Sequence, residues 1–152
     1  MCVQLLQPTW AARPDGSKQL ERDGTMLLEF ANANPSPAGA PQTAGATNRT
    51  YNWGSKMVFA LSANELGNIL SGEVDKAERG ITLWHDPAKL GKQEPKKKLS
   101  INRLPDGALQ FQVGNGTESV SVPVSKAEFE VFKSIANYAI PRLLGFNELF
   151  SS

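Results

Sequence analysis

Apolar and polar residues alternate with a period of two through much of this chain, and turn-forming pairs punctuate the alternating runs. Met57, Phe59 and Leu61 share one face of such a run, as do Leu99 and Ile101, Leu109, Phe111 and Val113, and Val120, Val122 and Val124. Alternation of this kind predicts half-buried strands. Asp15-Gly16, Asp23-Gly24, Asp106-Gly107 and Asn115-Gly116 lie between the runs. Such pairs tolerate the positive φ angles of tight hairpins. Together the two signals predict strands at about 1–10, 17–22, 25–31, 51–61, 79–85, 96–104, 108–113 and 118–124.

Two helices are announced in the same way, each directly after an alternating strand. Ser62 and Glu65 have the spacing of a capping box, with Leu61 and Leu66 placed to staple the entry; Ser125 and Glu128 repeat it, with Val124 and Phe129. Leu66, Ile69 and Leu70 give the first helix a short apolar face that ends before Gly72. Phe129, Phe132, Ala136, Ala139 and Leu143 give the second a longer face, closed by Gly145, with Pro141 expected to tighten the last turn. Leu143 and Leu144 are expected to add apolar surface there. The chain therefore reads as one unit used twice, four strands and then a helix. Residues 32–50, rich in Pro, Ala, Gly, Thr and Asn without apolar period, read as a flexible insertion.

Composition narrows the classes. The 152 residues suit one domain, 1–152, and 40% hydrophobic with 20% charged residues is the balance of a globular chain. No run approaches the ~20 apolar residues that span a bilayer. One cysteine, Cys2, and one histidine, His85, cannot build the usual multi-ligand zinc site or an intrachain disulfide, so no metal and no cofactor are expected. The opening Met1-Cys2-Val3-Gln4-Leu5-Leu6 lacks the Arg-rich, Ser-rich character of a transit peptide. Catalysis finds little support: there is no nucleophile elbow, phosphate loop or dinucleotide fingerprint. His85-Asp86-Pro87 reads as a strand end opening into a turn, and no catalytic residue is expected.

Charge changes the picture locally. The net charge is only +1, yet Lys89, Lys92, Lys96, Lys97, Lys98 and Arg103 cluster, with Glu94 and Asp106 opposing them. On a strand beginning near Pro95, Lys96, Lys98, Ser100 and Asn102 would share the face opposite Leu99 and Ile101, flanked by Gln110 and Gln112. Sheet faces bearing cations and amides track single strands through phosphates while aromatic rings stack under bases. The same stripe also fits an edge kept soluble by lysine. Trp10, Tyr51, Trp53 and Trp84 stand near strand ends, suited either to a core or to stacking.

At this point the residues resemble a known family, the Whirly proteins of plants. The resemblance runs from Tyr51-Asn52-Trp53 through Phe59-Ala60-Leu61-Ser62 and Glu65-Leu66-Gly67 to His85-Asp86-Pro87 and Lys97-Lys98-Leu99-Ser100-Ile101. It ends in Val122-Pro123-Val124-Ser125, Ala127-Glu128-Phe129 and Ala139-Ile140-Pro141-Arg142-Leu143-Leu144-Gly145-Phe146. It implies an α+β fold, (ββββα)×2, in which two roughly perpendicular four-stranded antiparallel sheets are held by two helices. It further implies a homotetramer packed through the helices, with single-stranded DNA running between sheets of neighbouring protomers with little sequence preference. Plastids are the first expected location and mitochondria the second, with roles in organelle genome maintenance, DNA repair and transcription. Family members carry a Lys-Gly-Lys-Ala-Ala-Leu stretch in the first strand, where this chain has Met1 to Leu6. The insertion is also longer than the short turn of land-plant members.

On this basis Lys56, Lys96, Lys98 and Arg103 are expected to meet phosphates and Asn102 and Gln110 to hydrogen-bond; Tyr51, Trp53, Trp10 and Trp84 are expected to stack. Three rivals stand beside that reading. One keeps the fold but binds RNA, as do the guide-RNA-binding relatives of trypanosome mitochondria. Another is a protein-interaction scaffold, and the third a small hydrolase using His85.

Overall fold

The computed structural model describes residues 1–35, 49–76 and 80–149. Its first half differs from the expected four-stranded sheet. The strands are β1 (Cys2–Leu6), β2 (Thr9–Ala12), β3 (Lys18–Arg22), β4 (Thr25–Phe30) and β5 (Met57–Leu61). β1, β4 and β5 form a three-stranded antiparallel sheet in the order β1-β4-β5, while β2 and β3 form a separate ribbon. Two local features cause the split. Pro8 stands between β1 and β2, where it can donate no ladder hydrogen bond. Asp23-Gly24 is not a hairpin, because Gly24 does not take positive φ. Gly24 is buried instead, and its N–H donates to the Leu143 carbonyl at 2.8 Å. A Cβ at residue 24 would stand 3.1 Å from the Leu143 Cα and closer still to the Leu6 carbonyl. Here glycine permits close backbone approach, not a chain reversal.

The reversal occurs once in this region, at Asp15-Gly16. Gly16 has φ 84°, and the Asp15 carboxylate accepts from the Ser17 N–H at 2.9 Å. Two long bent strands are thus folded on each other, and β5 joins the second. Of the expected flexible insertion, residues 32–50, the stretch 36–48 lies outside the described residues. Its flanks are paired: the Asn34 N–H donates to the Thr50 carbonyl at 2.9 Å, and Ala33 bridges to Tyr51.

The second half follows expectation. β6 (Ile81–His85), β7 (Lys97–Arg103), β8 (Leu109–Gly114) and β9 (Ser119–Val124) form one antiparallel sheet in sequence order. Gly107 and Gly116 take φ 81° and 95° in the two tight turns. Both anticipated capping boxes are present. Ser62 caps α1 (Ala63–Leu70), which leads into the short α2 (Glu73–Lys76), and Ser125 caps α3 (Lys126–Leu143). α3 carries through Pro141, the Gly145 N–H returns to the Arg142 carbonyl at 3.0 Å, and a last turn, α4 (Phe146–Leu149), follows.

One core serves both halves. Met26, Leu28, Phe30, Phe59 and Leu61 from the first sheet join Leu99, Ile101, Phe111 and Val113 from the second. Phe129 and Phe132 of α3 meet Phe111 edge-on, with ring centroids 6.3 and 5.5 Å away. Since the inner face of β6–β9 is covered this way, its other face is left to solvent.

Candidate nucleic-acid interface

Side chains that alternate away from the core line the open face of β6–β9. Register sets Thr82 opposite Ser100, Ser100 opposite Gln112 and Gln112 opposite Ser121, one polar row across four strands. A second row pairs Trp84 with Lys98, and a third pairs Asn102 with Gln110. Thr82 and Ser100 hydroxyls lie 3.3 Å apart. Trp84 is 63% exposed, and the Lys98 ammonium lies 5.8 Å from its ring centroid. Amides and hydroxyls both donate and accept, so they can meet the polar edge of any base. An exposed indole offers a stacking surface to any base, and an ammonium a partner to phosphate.

Of the ten expected site residues, Trp84, Lys98, Asn102 and Gln110 therefore share this face. The others are distributed differently. Lys96 precedes β7 and pairs with Asp86 at 2.9 Å, a contact that holds the Asp86 carboxyl below its usual range. Arg103 alternates to the opposite face and pairs with Asp75 of α2. Lys56 pairs with Glu29 at 2.6 Å beside the first sheet. Tyr51 and Trp53 are both exposed, their ring centroids 6.3 Å apart. Trp10 is half-buried against Gly145, where a side chain would collide with its ring.

His85 has a structural assignment. It alternates toward the interior and stacks on Phe59 at 4.1 Å between centroids, and its Nε2 donates to Glu65 Oε1 at 2.7 Å. The other Glu65 oxygen accepts from the Ser62 N–H at 2.9 Å and hydroxyl at 2.8 Å, closing the α1 capping box. The order is serine, carboxylate, imidazole. A nucleophilic triad needs the imidazole between the other two, where it can take the hydroxyl proton. This arrangement ties the end of β6 to the start of α1.

Among the described residues, no group of three or more His, Cys, Asp or Glu side chains could hold a metal ion. No helix there is long and apolar enough to cross a membrane. The four-stranded antiparallel sheet packed on a helix is part of the fold that the resemblance implied, and its polar open face was read from the residues themselves. Residues 1–135 match the family model described as Whirly transcription factor. The chain belongs to the Whirly family. It is 36% identical over 163 residues to the chloroplastic single-stranded DNA-binding protein WHY3 of Arabidopsis thaliana, covering 100% of this chain and 55% of that protein. It is 28% identical over 159 residues to the mitochondrial single-stranded DNA-binding protein WHY2 of the same plant, covering 98% of this chain and 60% of that protein. The chain thus spans little more than half the length of these curated relatives. The crystal structure of WHY3 from Arabidopsis thaliana superposes with a TM-score of 0.75 at 32% identity, covering 97% of this chain and 83% of that one. The structure of the plant transcriptional regulator PBF-2 gives 0.74 at 32% identity, with 97% and 85% covered.

One feature of this Whirly chain escaped the sequence reading. Val131, Ile135 and Tyr138 form an exposed apolar stripe on α3, with Val131 60% and Tyr138 56% exposed. The expected apolar surface at the helix end differs, because Leu143 is buried in the core and Leu144 is half-buried. The spacing i, i+4, i+7 was the available signal for the stripe. It was masked by the stronger buried face beginning at Phe129.

Proposed function

We propose that this chain binds single-stranded DNA with little sequence preference across the open face of β6–β9. The observation that carries the reading is the sharp difference between the two faces of that sheet. One is apolar and covered; the other holds Trp84, Lys98, Ser100, Asn102, Gln110 and Gln112. Trp84 stacks on a base, Lys98 meets phosphate, and Asn102 and Gln110 hydrogen-bond to base edges. Tyr51 and Trp53 supply a second aromatic platform. Lys56, Lys96 and Arg103 lend less charge, each being neutralised by a carboxylate. Trp10 serves packing.

The protein works as a homotetramer joined through its helices, and the Val131–Ile135–Tyr138 stripe supports this: paired helices would remove it from water. The names of its relatives support a plastid location first and a mitochondrial one second; a role in organelle genome maintenance, DNA repair and transcription is carried by the family resemblance alone. The whole of 1–152 acts as one domain. The test is titration of a labelled polypyrimidine DNA strand against duplex DNA and RNA of equal length, with light scattering beside it. Saturable binding of the DNA strand by a tetramer is expected. Equal or tighter RNA binding would move the reading to RNA, and no binding at low salt would end it.

A further inference from the structure

Beside the sheet face, Trp84 borders a cavity of about 420 Å³ that is lined by Trp84, His85, Asp86, Lys89 and Lys96. That volume falls within the ~300–1,000 Å³ of small-molecule sites. The wall opposite the sheet is a 3₁₀ turn, Pro87–Leu90, held at both ends. The Asp86 carboxylate accepts from the Ala88 N–H at 3.2 Å, and Gly91, at φ 72°, returns its N–H to the Ala88 carbonyl at 3.0 Å. A fixed turn gives Lys89 a defined base. Among the described residues Lys89 enters no ion pair, whereas Lys96 at the same cavity is tied to Asp86. His85 is turned to Phe59 and Glu65 and contributes wall rather than charge.

We infer that this cavity seats the nucleotide whose base stacks on Trp84, with that nucleotide's own phosphate on Lys89. The path of the strand thereby continues off the sheet edge onto the 3₁₀ turn. β6 is one of the sheet's two edge strands, so a nucleic acid crossing the polar face toward β6 leaves the sheet past Trp84. Lys98 lies over the indole, and Lys89 and Lys96 line the cavity that Trp84 borders, so three lysines stand near one stacking ring. Indole plus unpaired ammonium is the chemistry that recognises a nucleotide and no single part of it.

This inference rests on the proposed DNA binding, and the experiment separates the two. Affinity for a polypyrimidine DNA strand is measured across a salt series for the full chain, for Lys89→Gln and for Lys126→Gln. Lys126 lies at the start of α3, away from the cavity. Each phosphate neutralised on a single strand contributes about 0.7 to the salt slope. Lys89→Gln should flatten the slope by about that amount, while Lys126→Gln leaves it unchanged and neither alters the melting temperature. Unchanged slopes for both variants, or equal flattening by both, would overturn the subsite while leaving sheet binding intact. An unmodified chain that fails to bind would remove the DNA reading itself, and this one with it.

Discussion

The two sheets of this protein are built from similar material and present different outer surfaces. Outside β6–β9 stand hydroxyls, amides, Lys98 and the exposed Trp84. Outside β1-β4-β5 stand Cys2, Gln4, Leu6, Thr25, Leu27, Val58 and Ala60, a mixed and more apolar surface, with one neutralised pair, Glu29–Lys56. Both inner faces feed the same core. Stability is therefore common to the two sheets while the proposed recognition chemistry stands on one, and mutations should separate those properties by region.

The largest expected effect tests the common core. Phe111→Ala empties a site surrounded by Phe129 and Phe132, and about 3–5 kcal/mol of stability should be lost in a denaturant titration. If the sheets share one core, β1-β4-β5 and β6–β9 should lose hydrogen-exchange protection together. Separate transitions would break the comparison. Gly24→Val attacks the other region. Its side chain would enter the gap between Leu6 and Leu143, and overpacking of this kind costs about 1–3 kcal/mol. DNA affinity of the remaining folded protein should be unchanged. On the recognition side, Trp84→Ala should weaken DNA binding by about 1–3 kcal/mol with little change in melting temperature, because the indole is exposed. Isothermal titration with parallel melts checks this.

The smallest effect is acid loosening. Asp86 is held below its ordinary 3.8 by Lys96, Glu128 below 4.5 by the Ser125 backbone N–H, and Asp15 below 3.8 by the Ser17 hydroxyl. A carboxyl whose folded value is depressed stabilises the fold above its unfolded value, and the contribution fades as pH falls through the folded value. Melting temperature should therefore hold steady down to about pH 4.5 and decline below it. Asp86 and Glu128 flank the second sheet, while Asp15 alone serves the first ribbon, so hydrogen exchange near pH 3 should rise more around the former.

The same regional contrast governed what the sequence made legible. In β6–β9 the strands follow one another with tight turns at Gly107 and Gly116, so alternation and turn chemistry agree and the strand bounds were read closely. In the first half they disagree. Asp23-Gly24 carries the residue signature of a hairpin, but its glycine answers to a long-range demand, the approach of Leu143 from more than a hundred residues away. No local pattern encodes that. Capping boxes were legible because their bonds close within four residues. Among site residues, alternation grouped Lys98 and Asn102 with Gln110 on one face, and Trp84 joins them only through the pairing of β6 with β7. The partners of Lys56 and Arg103, Glu29 and Asp75, lie 27 and 28 residues away and could not be foreseen from spacing.

Phosphate is expected to be met on the open face of the second sheet and not at Lys56 beside the first, and two lysines test this most directly. Lys98 stands on the open polar face with its ammonium over Trp84, and Lys56 stands beside the first sheet, neutralised by Glu29. Salt titration of DNA binding by Lys98→Ala and Lys56→Ala compares them under one readout. Lys98→Ala should flatten the salt slope by about 0.7, the share of one phosphate, and Lys56→Ala should leave it as it was. A flattened slope for Lys56→Ala with an unchanged one for Lys98→Ala would contradict the account and move the binding face to the first sheet.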